Sequence, residues 1–149
     1  MREAGALANE LSKKYPPDTI VKMRTLPTIR AAIENSQTHP SRAIELLQDA
    51  ASVELGDFLV AYTRGQAYLL LHRGREAAAE FQKIIDHRGI VISDPIGALA
   101  HLQLGRSYAL SGDKIKAKSA YQDFLTLWKD ADPDIPILKQ AETEFAKLH

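Results

Sequence analysis

The feature that most constrains this chain is a near-constant step at which similar residues recur. Ala43 and Ala77 lie 34 residues apart, as do Leu47 and Phe81, Ala50 and Ile84, and the small pair Ala31 and Gly65. A third copy comes at a step of 40, with Gly65 matched by Gly105, Tyr68 by Tyr108, Ala77 by Ala117 and Phe81 by Tyr121. A period of this length marks a helical repeat array, in which each unit cannot bury its apolar face alone and stacks on its neighbours. Such arrays bind other chains far more often than they perform chemistry. The periodicity therefore points to a binding module and leaves the ligand unnamed.

Composition narrows the partner classes. The chain has 149 residues, enough for one continuous core, and its 45% hydrophobic fraction is that of a globular protein. Its 19 basic and 19 acidic residues cancel to a formal net charge of zero and form no blocks. Nucleic-acid binding needs a dense basic surface to displace counterions, so that partner is disfavoured. No run has the length of a bilayer-spanning helix, and the N-terminus lacks a secretory pattern, so no membrane insertion is expected. With no cysteine, disulfides, thiolate zinc sites and a cysteine nucleophile are excluded together. A reducing compartment fits that absence without being required by it. Localisation stays open, with a soluble cytoplasmic protein as the default.

Glycine and proline punctuate helical patterns, and long β-branched runs are missing, so the whole chain reads as helical. A first helix, Glu3 to Lys14, carries Ala4, Ala8 and Leu11 on one face and stops at Tyr15-Pro16-Pro17. Asp18 can cap a short turn through Ile20 and Met23. Pro27 is tolerated in the first turn of the next helix, which runs to about Ser36 and breaks at His39-Pro40. Ser41 to Ala51 forms its partner, burying Ala43, Ile44, Leu47 and Ala50. A middle pair reads Asp57 to about His72, a turn at Arg73-Gly74, then Arg75 to His87. The third pair starts at the Asp94-Pro95 cap, turns at Ser111-Gly112, and returns from an Asp113 cap through Trp128. After Asp132-Pro133-Asp134, a last helix from Ile135 to Leu148 puts Leu138, Ala141, Phe145 and Leu148 on one narrow stripe. Its other face carries Lys139, Gln140, Glu142, Thr143 and Lys147, the pattern a terminal cap needs.

With the pairs placed, the chain resembles the tetratricopeptide repeat family over about residues 24 to 129. In Tyr62-Thr63-Arg64-Gly65-Gln66-Ala67-Tyr68, the glycine allows close helix approach and the tyrosine fills the space beside it. Ala77 and Phe81 look like the family's small and aromatic packing residues. Leu104-Gly105, Tyr108, Gly112, Ala117 and Tyr121 repeat the arrangement. The earliest copy is degenerate, with Ala31 in place of the glycine and Glu34 of the tyrosine, while Ala43 and Leu47 keep the packing places. No copy has the family's early tryptophan; Pro27, Ala61 and His101 stand there. The resemblance implies a right-handed superhelix of antiparallel helix pairs with a C-terminal capping helix. Within a single domain over 1–149, the repeats fall at 24–53, 57–88 and 94–129, with the capping helix at 134–149. Residues 1–16 read either as an N-terminal cap or as the second helix of a further copy.

A narrower resemblance is carried by Leu26-Pro27-Thr28-Ile29-Arg30-Ala31-Ala32, Arg64-Gly65-Gln66-Ala67-Tyr68, Ala79-Glu80-Phe81-Gln82-Lys83-Ile84 and Asp94 to Gly105. With Tyr121 to Lys139, these look like the C-terminal repeat region of acidobacterial eukaryotic-like serine/threonine kinases. That implies a regulatory or docking tail and transfers no catalytic residue, because no kinase motif is present.

Other chemistry finds little support along the chain. A phosphate loop needs four residues between its glycines and a Lys-Ser/Thr pair after the second, whereas Gly105 and Gly112 enclose six and precede Asp113-Lys114. The histidines (His39, His72, His87, His101, His149) are scattered, with no two one turn apart and no acidic partner in register. His72 and His87 sit near helix ends, where they can meet the last carbonyls. No catalytic, cofactor or metal constellation is expected, and the chain reads as a non-enzyme.

A ligand is expected on the first helices of the pairs, which line the concave side of stacked helix pairs. Leu59, Tyr62, Gln66, Leu69 and Arg73 remain on the middle pair, and Leu99, Leu102, Gln103, Arg106 and Leu110 on the third. The first pair offers Thr28, Ala32 and Asn35. Tyr62, Gln66, Arg73, Gln103 and Arg106 form the candidate peptide site, since apolar and amide-bearing residues suit an extended peptide. The leucines alternatively pack between helices. Chaperone-binding family members grip a carboxylate with lysine and asparagine, but Thr28, Ala32, Thr63, Leu99 and Gln103 stand near those places here. The connection from about Asp86 to Gly97 is a second candidate, because Gly89-Ile90-Val91-Ile92 is unusually apolar for a linker. The expected function is protein or peptide binding. The alternative is a spacer that self-associates through its end helices.

Overall fold

The computed structural model describes residues 2–16, 18–48, 50, 58–87 and 95–148. Among them there are eight α-helices and no strand, as the sequence pattern requires. They gather into two compact units, Met1–Leu71 and His72–His149. The second repeat read from sequence, 57–88, runs across that boundary.

In the first unit, α1 (Arg2–Lys14) buries Ala8 and half-buries Ala4 and Leu11. Asp18 accepts the Val21 amide at 3.0 Å, the expected cap. The segment beyond that cap is not the separate short turn expected from sequence. A π-helical turn, Val21–Thr25, runs directly into α2 (Leu26–Ser36), and the Leu26 amide reaches back five residues to the Val21 carbonyl. Pro27 is the physical reason. It has no N–H to donate, and its ring would crowd the carbonyl four residues earlier, so the wider turn relieves both.

A three-residue turn folds α3 (Pro40–Leu46) back along α2. The helix is shorter than the sequence pattern suggests. The Leu47 and Gln48 amides bond to carbonyls three residues back, at 3.1 and 3.2 Å, so the chain tightens there. α4 (Phe58–Leu70) then packs on both helices. Ala31, Ala43, Leu47, Ala50, Val60 and Ala67 form the core, with Ile44 and Leu46 at its edge. Small residues on α2 and α3 let the helices approach closely enough for Leu47 to fill the gap.

The second unit comprises α5 (Gly74–Asp86), α6 (Ile96–Leu110), α7 (Lys114–Leu127) and α8 (Pro136–Ala146). α6 packs on both α5 and α7, and α8 lies against α7. Gly74, read as a turn residue, begins α5 instead. A Cβ there would sit 2.6 Å from the Ser107 carbonyl oxygen and 3.0 Å from the Ser111 amide nitrogen, so α5 starts flush against the end of α6. Gly105 is the close approach that the repeat spacing predicts, since its Cβ would meet the Tyr121 ring at 2.8 Å. Asp113 caps α7 by accepting the Lys116 amide at 3.0 Å. α8 buries Leu138 and Ala141, half-buries Phe145 and exposes Lys139, and Leu148 just beyond its end is half-buried, as the stripe requires.

The backbone repeats the sequence period. Thr38, His72 and Gly112 all take left-handed φ values, of 62°, 56° and 83°. Their C-terminal neighbours, His39, Arg73 and Asp113, share an extended-to-bridging conformation with ψ of 58°, 70° and 78°. Those positions are again 34 and 40 residues apart. Two of these turns close a hairpin within one unit, α2/α3 and α6/α7. In both, the residue after the left-handed one donates its amide at 2.9 Å to the carbonyl five positions back (His39 to Glu34, Asp113 to Tyr108). Packing places correspond as well: Ala31 with Gly105, Ala43 with Ala117, Leu47 with Tyr121 and Ala50 with Phe124, all buried.

Candidate functional site

The strongest polar constellation among the described residues joins α6, α7 and α8. Arg106 projects from α6 one turn beyond Gln103. Its guanidinium forks onto Glu144 of α8, with Nε 2.8 Å from one carboxylate oxygen and Nη2 2.9 Å from the other. The Tyr121 hydroxyl of α7 donates to the same carboxylate at 2.8 Å. Arg106 Nη1 reaches the Gln103 side-chain oxygen at 3.3 Å. Three donors thus converge on one carboxylate, in the bidentate geometry that makes arginine pairs strong and directional. Burial, then the hydrogen bond to Glu144, pushes the Tyr121 phenol well above its ordinary range. Tyr121 therefore stays a donor. Its ring lies on Gly105 and faces Phe145 at 6.3 Å between centroids, so apolar packing fixes the hydroxyl.

Of the five residues read as a peptide site, Tyr62 and Gln66 belong to the first unit and Arg73, Gln103 and Arg106 to the second. Tyr62 and Gln66 lie one turn apart on α4, both half-buried, between the half-exposed Leu59 and half-buried Leu69. Arg73 stands immediately before α5, and its guanidinium grips Glu76 at 2.7 and 2.8 Å, holding that carboxyl below its usual range. Gln103 is buried, and Arg106 is bound to Glu144. Leu102 is core rather than surface. The polar residues of the first pair are likewise engaged: Thr28 donates to the Arg24 carbonyl at 2.7 Å, and Asn35 to the Thr63 carbonyl at 2.9 Å. The apolar connection Gly89 to Ile92 lies outside the described residues, as do the helix start read at Asp57 and the cap read at Asp94.

Glu144 is the residue of this constellation that the sequence did not bring forward. Its spacing six residues after Leu138 places it beside the apolar stripe, which was the available signal. Nothing local pairs it with an arginine 38 residues away. His101 is similar: read as lacking an acidic partner, it lies 3.6 Å from Asp123 across the α6/α7 pair. His87 does meet a helix-end carbonyl, with its ring nitrogen 2.8 Å from the Lys83 oxygen.

Two open clefts occupy corresponding places. One of 350 Å³ in the first unit includes Ala8, Glu34 and Arg42 in its lining; one of 450 Å³ in the second includes Gln82, Tyr108 and Lys116. Each of those residues in the second cleft lies 74 positions beyond its counterpart in the first. Arg42 pairs with Glu34 and Lys116 with Asp113, both at 3.4 Å, so each cleft carries its own carboxylate against those cations. Among the described residues, no group of three His, Asp or Glu side chains is placed to hold a metal, and no helix is long and apolar enough to cross a membrane.

Compared with known proteins, the chain matches no family model, no curated protein and no solved structure.

Proposed function

We propose that this chain is a non-enzymatic helical-repeat module of the tetratricopeptide kind that binds a protein or peptide, serving as the docking tail of a signalling kinase. The observation that carries the binding role is the strip left on α4. Val60, Ala61, Thr63, Arg64, Gly65 and Ala67 are buried, while Leu59, Tyr62, Gln66 and Leu69 lie along a side reached by solvent. These residues recur every three to four positions, the spacing of a helix face. An aromatic ring and an amide between two leucines provide apolar area together with a partner for a peptide backbone. The recurrence of the turn conformations at the sequence period supports the repeat architecture. The kinase association rests on the sequence resemblance.

A library of displayed peptides tests this reading. Selection on the folded chain should converge on a consensus, and Tyr62→Ala should weaken the selected peptides at least tenfold while Lys147→Ala leaves them unchanged. Failure to converge, or equal binding to Tyr62→Ala, would remove the α4 strip as the site. A second reading, self-association through end helices, is favoured by Leu7, which is 64% exposed on α1. Sedimentation of the unaltered chain and of Leu7→Lys across a concentration series separates the two.

A further inference from the structure

We propose that the surface of α6 and α7 filled by α8 is a receptor for an acid-bearing amphipathic helix of a partner protein, with α8 as the tethered occupant that such a helix displaces. The proposal rests on the binding-module reading and gives it a second site and a partner chemistry. Arg106 of α6, whose guanidinium also donates to the Gln103 side-chain oxygen, and Tyr121 of α7 are presented by two different helices, yet they converge on one carboxylate. The ligand therefore needs a glutamate. The apolar half of the surface is Leu102, Tyr121 and Phe124, against which α8 sets Leu138 and Ala141, with Phe145 alongside. The resident helix thus defines the ligand that fits: apolar side chains at i, i+3 and i+7, and a glutamate at i+6.

That resident helix is suited to exchange. α8 has 11 residues, fewer than an isolated helix needs to persist in water, so it gains its structure from this surface. Its buried stripe is narrow, and its other face is solvated. The Arg106 and Glu144 side chains are 21% and 26% exposed, so water reaches the pair. A competing carboxylate can enter as Glu144 leaves, with the guanidinium never left uncompensated. The tether raises the local concentration of α8 to the order of millimolar, so the competitor must bind well or α8 must first be loosened.

The probe is a labelled synthetic peptide with the sequence of residues 134–148, offered to the full chain and to the full chain carrying Glu144→Ala. Sole tryptophan Trp128 packs at the edge of the α8 contact and gives an independent optical signal. The peptide should bind the Glu144→Ala chain about tenfold more tightly than the unaltered chain, because the internal competitor is weakened. A peptide with glutamine in place of its glutamate should lose about tenfold. Adding Arg106→Leu to the host should abolish that difference. Hydrogen exchange on the unaltered chain covers the case in which a variant does not fold: α8 amides should exchange through an opening that leaves α6 and α7 protected. Exchange of all three helices together, or equal binding of the glutamate and glutamine peptides, overturns the proposal. Since the probe is the chain's own helix, these results stand whether or not the α4 strip selects a peptide.

Discussion

Gly105→Ala is the sharpest perturbation of this architecture. The new methyl carbon would lie 2.8, 2.9 and 3.1 Å from three carbons of the Tyr121 ring, closer than side chains tolerate. The ring cannot simply swing away, because its hydroxyl is bound to Glu144 at 2.8 Å and Phe145 lies beside it, tilted, at 6.3 Å between ring centroids. Two effects oppose each other. Alanine favours the interior of a helix over glycine by about 1 kcal/mol. Overpacking a filled site costs about 1–3 kcal/mol. Displacing the ring also lengthens a hydrogen bond to a charged group, and such bonds contribute roughly 1.5–3 kcal/mol. The net should be destabilising by about 1–3 kcal/mol, with Gly105→Leu worse. Urea denaturation followed through Trp128, whose ring lies tilted against Phe124 at 5.0 Å between centroids, reports the second unit directly. With slopes of roughly 1–3 kcal/mol per molar, the alanine variant should shift its midpoint down by about 1 M. Combining it with Tyr121→Leu should recover part of the loss, because the clash and the hydrogen bond vanish together. A Gly105→Ala chain as stable as the parent would refute the close approach of α6 and α7.

Gly74→Ala should also destabilise, by about 1–3 kcal/mol in the same assay, since its methyl would press on backbone atoms at Ser107 that have no rotamer to change. Thr38→Gly should stabilise the first unit by up to about 1 kcal/mol in thermal melts, because a β-branched residue at a φ of 62° is strained where glycine is not. Tyr121 should confer an alkaline sensitivity. Its folded pKa is raised, so its contribution is complete below the unfolded value near 10 and declines as pH rises above it. Denaturation midpoints measured between pH 8 and 11 should fall at the alkaline end in the parent and stay flatter in Tyr121→Phe. Glu144→Gln should lower α8 stability by about 1 kcal/mol, seen as faster tryptic cleavage at Lys139.

The sequence by itself determined the features that depend on neighbours along the chain. The helical class, the breaks at Pro40 and Gly112, the Asp18 and Asp113 caps, and the buried stripe of α8 each arise from a few adjacent residues, and all are present. The 34- and 40-residue steps were equally legible, and they reappear as left-handed backbone at Thr38, His72 and Gly112. The ends of α3 and the π-helical entry to α2 were not, because they depend on how one carbonyl is shared among competing amides. Only tertiary structure decided which polar groups meet. Periodicity gives the face of a helix a residue occupies, but not the rotation or depth at which the next helix packs. Arg106 was legible as a cation one turn from Gln103, yet whether it meets solvent or Glu144 is set by the docking of α8. A pair 38 residues apart is fixed by the Leu102–Phe124–Leu138 packing beneath it, and apolar contacts of that range leave no local mark in the chain.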